Sequence, residues 1–238
     1  MRIINTEQKE KSILKAVFRL FSLKVIISSV LFVGSLLVFA VIANEAVYEN
    51  EAAFDKRVFY YFSTFSTPSL IAVMKVFTFF GSGNFLLPAY IVLIGYFFIQ
   101  RNYRYGLHIA IVALSSTGMM LLIKQITHRH RPELPIIQGI TNYSFPSGHA
   151  LSAFIFCGIF IYIAWNAAIS SSLKWLFTIL LLFLAVTVGV SRIVLKVHYP
   201  TDVIASFCLG IVWATLSLWV MRGISRKNGA QAVPGAGQ

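Results

Sequence analysis

The chain of 238 residues is 58% hydrophobic and only 12% charged, roughly half the charged share of a soluble domain. Its formal net charge is +12, but the Lys and Arg residues are scattered between long apolar runs. Because a nucleic-acid partner needs a basic patch on one surface, this scatter argues against nucleic acid. Both Cys157 and Cys208 lie inside apolar runs, so neither a disulfide framework nor a cysteine-based metal site is indicated.

Six stretches have the composition of a membrane-spanning helix, which takes about 20 apolar residues. The predicted spans run from Val25 to Asn44, Phe85 to Ile99, Tyr105 to Ile123, Ala150 to Leu173, Trp175 to Ser191 and Val203 to Met221. The segment from Val58 to Met74 is apolar too, but Thr67-Pro68-Ser69 interrupts it and favours short surface helices. The predicted fold is an all-α polytopic membrane helix bundle of six transmembrane helices, with short extracytoplasmic helices between the first and second spans.

The distribution of Lys and Arg predicts the orientation of the bundle, because cytoplasmic segments carry the excess of these residues. With six spans, the basic N-terminal segment, Arg101, Arg104, Lys174 and the basic tail all lie in the cytoplasm. A seventh span over Val58 to Met74 would place Arg101, Arg104 and the basic tail outside while the N-terminus stayed inside, and we reject it for that reason. We expect a multi-pass protein of the cell membrane with both termini cytoplasmic: a basic segment over 1–24, a six-span domain over 25–222 and a flexible tail over 223–238.

Residues suited to chemistry concentrate in two loops, one between the third and fourth spans and one between the fifth and sixth. They form three groups: Lys124 with Arg131-Pro132, then Pro146-Ser147-Gly148-His149, and then Ser191-Arg192 with His198 and Asp202. In the six-span topology all three groups fall on the extracytoplasmic face. The sequence therefore predicts one site at that face.

The cations of this set indicate a phosphate-binding site. Lys124, Arg131 and Arg192 bring positive charge to one face of a bilayer, where unpaired charge is costly. Guanidinium groups bind phosphate oxygens as a fork, and Lys supplies a point charge. Ser147 and Gly148 precede the fourth span, so their N–H groups lie at a helix N-terminus, which attracts anions. The Ser147 hydroxyl has two possible roles, to cap this helix or to bind a phosphate oxygen.

The two histidines differ in whether an acid lies near them in sequence. Pro200 favours a helix start, which lets Asp202 reach back to one ring nitrogen of His198 and leaves the other nitrogen free to attack phosphorus. His149 has no such partner and suits the general acid that protonates the leaving group. His128 and His130 suggest a metal site, but only Glu133 accompanies them. We therefore expect neither a metal nor another cofactor.

Taken together, the three groups resemble the signature of the type 2 phosphatidic acid phosphatase superfamily, which includes bacterial phosphatidylglycerophosphate and undecaprenyl pyrophosphate phosphatases. Eleven identities match in order and spacing: Lys124, Arg131, Pro132, Pro146, Ser147, Gly148, His149, Ser191, Arg192, His198 and Asp202. The resemblance implies His198 as nucleophile, Asp202 as its orienting acid, His149 as general acid, and Lys124, Arg131, Ser147, Gly148 and Arg192 as phosphate-binding residues. Soluble relatives share the signature, but the hydropathy of this chain argues against them.

Several alternatives for the function remain open at this level. The expected partners are a lipid phosphate substrate and membrane lipids, and phosphatidylglycerophosphate, phosphatidic acid and undecaprenyl pyrophosphate all fit. A lipid phosphotransferase would use the same phosphohistidine with another acceptor. A transporter is disfavoured, because the ionisable residues gather at one membrane edge instead of the midplane. The sequence predicts no oligomeric state.

Overall fold

The computed structural model describes residues 23–48 and 53–231, which fold into α-helices joined by loops and turns. The helices are α1 (Leu23–Tyr48), α2 (Ala53–Phe65), α3 (Pro68–Phe79), α4 (Gly83–Ile99), α5 (Tyr103–Thr127), α6 (Gly148–Asn166), α7 (Ser171–Val194) and α8 (Pro200–Gln231). No strand occurs among these described residues. The all-α prediction is confirmed.

Six segments are long and apolar enough to cross a bilayer, as the sequence predicted. They are Val25–Ala46, Pro68–Ile99, Tyr103–Thr127, Gly148–Asn166, Ser171–Val194 and Pro200–Val220. Large apolar side chains such as Leu37, Leu114 and Phe183 are exposed on their outer faces. These faces suit lipid tails, since a bilayer core needs no polar covering.

The second span is built differently from the others. Two helices contribute to it, the 12-residue α3 and the 17-residue α4, joined by a tight turn around Gly81. Both short helices predicted between the first two spans are present, but α3 belongs to the second apolar segment, and only α2 lies wholly between the spans. Thr67 caps α3 by accepting the N–H of Leu70, and Pro68 occupies the first turn, where its missing N–H is no loss.

The predicted end of the fourth span at Leu173 is wrong. Helix α6 ends at Asn166, and α7 begins at Ser171 after a short turn. Ser170 caps α7 by accepting the N–H of Leu173. The serines at 170–172 are uncharged, so they do not interrupt the charge-free stretch from which the fourth span was predicted. Serine before an apolar run is nevertheless a helix-start signal.

The ends of the described chain bear on the predicted segment boundaries. Most of the predicted N-terminal segment over 1–24, and residues 232–238 of the predicted tail, lie outside the described residues. Helix α8 continues to Gln231, beyond the boundary drawn after residue 222.

The antiparallel arrangement of the spans positions the site. Helices α5 and α7 end, and α6 and α8 begin, at the same end of the bundle. Helix α6 packs against α5, α7 and α8, with Leu151 and Ile155 buried against Met120 and Leu209. At that end, α3 covers the last turn of α7 through Met74. All three predicted groups of site residues therefore reach one end of one bundle.

Candidate active site

His198 lies in the turn between α7 and α8, just before the helix start at Pro200. Asp202 occupies the first turn of α8, and its Oδ2 atom lies 3.3 Å from Nδ1 of His198. This is the contact that the four-residue spacing predicted. Both side chains are almost fully buried.

Asp202 is held by further donors on both carboxylate oxygens. Oδ2 accepts the backbone N–H of Tyr199 at 2.9 Å and the hydroxyl of Ser144. Oδ1 accepts Nη1 of Arg129 at 2.6 Å. A carboxylate bonded on both oxygens cannot rotate, so its orientation toward His198 is fixed.

The tautomer of His198 follows from its second partner. Nη1 of Arg131 lies 3.2 Å from Nε2, and a guanidinium can only donate. Nε2 must therefore accept, and the ring proton is assigned to Nδ1, facing Asp202. Burial lowers the pKa of His198 from 6.5 to about 3, against the opposing effect of Asp202. The ring is neutral at physiological pH, with its lone pair directed away from Asp202.

The loop before α6 holds two of the predicted phosphate-binding cations. Nζ of Lys124 donates to the carbonyl oxygens of Tyr143 at 2.5 Å and Ser144 at 3.3 Å. Arg131 donates from Nε to the carbonyl of Asn142 at 2.8 Å, and burial lowers its pKa. Arg131 thereby lies beside His198, and Lys124 lies within electrostatic range of Arg131 and Asp202.

Two buried polar atoms stand out at the site. Among the described residues, the buried side-chain polar atoms without a hydrogen-bond partner are Oγ of Ser147 and Nε of Arg192. Ser147 is the N-cap residue of α6, yet its hydroxyl makes no capping bond. Arg192 donates from Nη1 to Oγ1 of Thr78 at 2.6 Å, which leaves Nε unused. Of the two roles considered for Ser147, the structure does not show helix capping.

His149, the second residue of α6, is half-buried and lies within electrostatic range of Arg192, Arg131 and Lys124. The turn between α3 and α4 presses against it. A Cβ atom at Gly81 would lie 2.9 Å from the carbonyl oxygen of His149 and 3.0 Å from its Cβ. Only glycine permits this approach, so the turn forms a wall beside His149. Gly148, the first residue of α6, completes the group.

The other histidines of the sequence analysis lie outside this arrangement. His128 and His130 are exposed, and the His128 ring packs edge-on against Tyr143. Within residues 23–48 and 53–231, no group of three or more His, Cys, Asp or Glu side chains is arranged to hold a metal ion.

Comparison with known proteins assigns the family. A family model described as the PAP2 superfamily matches residues 104–226, just over half of the chain. The chain belongs to the PAP2 superfamily. Its fold and six candidate spans make it a multi-pass membrane phosphatase of that superfamily.

Individual relatives agree with this assignment. Phosphatidylglycerophosphatase B of Bacillus subtilis is 29% identical over 199 residues, which cover 83% of this chain and 94% of the relative. A crystal structure of a transmembrane PAP2-type phosphatidylglycerolphosphate phosphatase from Bacillus subtilis superimposes with a TM-score of 0.71 at 26% identity, covering 82% of this chain and 98% of that one. Aquifex aeolicus LpxE shares the fold, with a TM-score of 0.58 at 22% identity over 72% of this chain and 98% of its own.

Sequence analysis of this PAP2 protein missed part of the buried network. Asp55, Arg129, Ser144 and Thr201 all contact Asp202 directly or through one another. Asp55 lies outside the residues that match the family. Nothing local in the sequence marks it as buried. The sequence contains one signal of a further functional residue at Arg129. Arg129 lies between Lys124 and Arg131 and adds a cation that the family signature does not require.

Proposed function

We propose that this PAP2 protein hydrolyses a lipid phosphate or pyrophosphate through a phosphohistidine on His198, at the extracytoplasmic face of the membrane. The observation that carries the proposal is the coincidence of three groups at one buried site, a nucleophile in contact with Arg131 and two polar atoms without a hydrogen-bond partner. They are the Nε2 lone pair of His198, the Oγ of Ser147 and the Nε of Arg192. A nucleophile, a hydroxyl and a guanidinium donor are the groups that a phosphoryl centre engages.

In the first step, Nε2 of His198 forms a bond to phosphorus while the bond to the leaving oxygen breaks. The Nδ1 proton stays on the ring and faces Asp202, so the carboxylate balances the positive charge that develops on the imidazole. Arg131 contacts Nε2 directly, and it must exchange this contact for a phosphoryl oxygen before attack. Lys124, Arg192, Ser147 and the N–H groups at Gly148 would hold the other oxygens.

His149 supplies the proton to the leaving oxygen in this scheme. The phosphate dianion favours the protonated imidazole, because an opposite charge stabilises the cation. In the second step the now neutral His149 removes a proton from water, the water oxygen bonds to phosphorus, and the bond to Nε2 breaks. Phosphate and free enzyme result, and the scheme contains no step that requires a metal.

A lipid substrate is supported by the position of the site and by a relative. The charged residues lie at the end of a bundle whose outer faces are apolar, where a phosphate headgroup would meet the protein while its chains stay in the bilayer. The name of the Bacillus subtilis relative specifies phosphatidylglycerophosphate. We rank this lipid first, before phosphatidic acid and undecaprenyl pyrophosphate.

Phosphate release tests the proposal. Purified protein in detergent is given each of the three lipids, with and without EDTA, and inorganic phosphate is measured. We expect release that EDTA leaves unchanged, and near-complete loss for His198→Ala. Substrate labelled at the transferred phosphate should leave an acid-labile, alkali-stable label on the wild-type protein. Activity retained by His198→Ala would reject the phosphohistidine, and loss of activity in EDTA would reject metal independence.

The same experiment separates a hydrolase from a phosphotransferase. A hydrolase releases the label as free phosphate, whereas a transferase places it on a second lipid that carries a hydroxyl group. Recovery of the label only on an added diacylglycerol or prenol would replace hydrolysis with transfer and leave the intermediate intact.

Orientation requires a separate test with the proposed outer loop. Leu134 is exposed in the loop between α5 and α6, and Lys174 is partly exposed at the opposite end. Leu134→Cys and Lys174→Cys, each made with Cys157 and Cys208 replaced by Ala, are treated on intact cells with a membrane-impermeant maleimide. We expect labelling of Leu134→Cys alone, and the reverse pattern would place the site in the cytoplasm.

A further inference from the structure

A buried ion-pair network extends from His198 to helix α2. Asp202 accepts Nη1 of Arg129 at 2.6 Å, and Nη2 of Arg129 donates to Asp55 at 2.9 Å. Asp55 also accepts the backbone N–H of Thr201 at 2.9 Å and its hydroxyl at 2.8 Å. The three charged side chains are each at most 2% exposed.

The network holds the N-terminus of α8 through two carboxylates, one in α8 itself and one in α2. The N–H groups in the first turn of a helix have no partner within it, and two carboxylates satisfy those around Pro200. Asp202, in the first turn of α8, accepts the N–H of Tyr199. Asp55, in α2, accepts the N–H of Thr201. The positive end of the helix dipole favours both acids. The position of His198, one residue before Tyr199, thus depends on both contacts.

Charge balance gives Asp55 a second effect. Asp55 and Asp202 share the guanidinium of Arg129, and burial makes the charge of each group strongly felt by the others. Without Asp55, more of the positive charge of Arg129 would act on Asp202. The carboxylate would then compensate less of the positive charge that forms on the imidazole during attack. Asp55 supplies Arg129 with a counterion of its own.

Neither residue is arranged to contact the transferred phosphate. Arg129 lies over the ring of Tyr199, 4.2 Å from its centroid, and is directed at two carboxylates. Asp55 lies beyond Arg129 as seen from His198, on the side of Asp202 and not of Nε2. Phe59, one turn along α2 from Asp55, packs on the same Tyr199 ring. Helix α2 therefore packs against the chain that follows His198 through the polar contact of Asp55 with Thr201 and the aromatic contact of Phe59 with Tyr199.

We propose that Asp55 and Arg129 are positioning residues for the phosphoryl transfer at His198: together they orient Asp202 and preserve its negative charge toward the imidazole. The inference rests on the proposed function of His198. It assigns to α2, which lies outside the segment that matches the PAP2 superfamily, a direct influence on the reactivity of the nucleophile.

Asp55→Asn tests the proposal, since it removes the charge and preserves the volume. We expect kcat to fall about 10- to 100-fold, as for loss of a partner behind a reacting group, with KM changed less than about twofold. Glu133→Gln is the matched control, because Glu133 is an exposed acid in the loop at the same end of the bundle. It should retain wild-type kcat and KM.

Two inhibitors separate positioning from a general loss of structure. Orthovanadate takes a five-coordinate geometry with the nucleophile as one ligand and resembles the transition state, whereas inorganic phosphate occupies the site without that bond. In Asp55→Asn, the vanadate Ki should rise by about the factor that kcat falls, while the phosphate Ki stays within about twofold. Unchanged kcat, or equal weakening of both inhibitors, would overturn the proposal.

A double variant addresses the case in which Asp55→Asn folds poorly. Asp55→Asn with Arg129→Gln removes one charge of each sign, so Asp202 keeps its charge toward His198. We expect the combined loss in kcat per folded molecule to be smaller, by at least about fivefold, than the product of the two single losses, because both residues act through Asp202. Additive losses would overturn the charge-balance argument. His198→Ala is assayed in parallel: if it remained active, the proposed function would fail, whichever way Asp55 behaved.

Discussion

The two ends of the bundle are built on opposite principles. At the site end, buried charges are bonded to one another, as in the contacts between Asp55, Arg129 and Asp202. At the other end, α5, α6 and α8 line a partly open cavity of about 100 Å³ with almost entirely apolar walls, formed by residues that include Ile109, Phe154 and Ile159. Loose packing is tolerated at this end, because the cavity walls are almost entirely apolar and leave few polar groups without partners. The buried charges of Asp55, Arg129 and Asp202 have to be paired, since an unpaired buried charge is far more costly than a small void.

The largest effect should come from Asp202→Asn. An amide can donate to Nδ1 of His198 and so favour the wrong tautomer, which would put the ring proton on the attacking nitrogen. We expect kcat to fall by about 10³- to 10⁴-fold, the scale of such a change in a catalytic triad. Ser217→Ala, in the wall of the apolar cavity, should leave kcat unchanged. Phosphate release measures both, and a loss below about tenfold would contradict the assigned tautomer.

Arg192→Lys should have the next largest effect. Lys preserves the positive charge but carries its N–H donors on a single nitrogen, so it cannot bond Thr78 with one nitrogen and present another to a phosphate oxygen, as Arg192 can. We expect kcat/KM to fall about 10²-fold, the scale of a lost transition-state donor. Arg104→Lys is the matched change at the opposite end, and we expect it to be silent. Equal kinetics for the two variants would show that charge alone suffices.

Gly81→Ala should produce a smaller, steric effect. The added methyl group would meet His149 and a Val188 methyl carbon at 2.7 Å, so the turn or the general acid must shift. We expect kcat to fall about tenfold, because small misplacements of a reacting group are costly. A methyl group at Gly83 meets nothing within 4 Å, so Gly83→Ala should remain fully active. A silent Gly81→Ala would mean that the wall yields without moving His149.

The pH dependence of stability reports on the buried histidine. The pKa of His198 is about 3 in the folded protein against 6.5 for the free side chain. Between these values the unfolded chain binds more protons, so His198 destabilises the fold as pH decreases below 6.5, by at most about 1.4 kcal/mol per pH unit. Thermal unfolding of His198→Asn should depend less on pH than that of the wild type between pH 6.5 and 4.5. Parallel curves would mean that His198 is not buried neutral.

The smallest effect is expected at the apolar end. Gly158 lies inside α6 at the wall of the cavity, and a Cβ atom there meets nothing within 4 Å. Gly158→Ala should stabilise the protein by about 0.5–1 kcal/mol through helix propensity, with no change in kcat. A rise in the unfolding temperature measured in detergent checks this, and a fall would show that the cavity is needed by the fold.

The contrast between the two ends also explains what sequence could predict. Hydropathy located the spans because each must bury its backbone bonds within about 20 residues. Spacing placed Asp202 against His198, since both lie within one turn of a helix start. The contact of Asp55 with Thr201 joins residues 146 positions apart, and no local pattern encodes such a pair. Ser170 could have predicted the helix start at Ser171 from the sequence. It carries no charge, however, so it does not interrupt a charge-free stretch.

The contact between Asp55 and Thr201 also has a consequence for biosynthesis. The ribosome delivers α2 to the membrane early and α8 only after five further helices. Until α8 has been synthesised, Asp55 lacks the Thr201 backbone as a partner and Arg129 lacks the Asp202 carboxylate. His198 and Asp202 emerge together, at the start of that last described helix. The contacts of Asp55 with Thr201 and of Arg129 with Asp202 therefore form only after α8 has met the rest of the bundle.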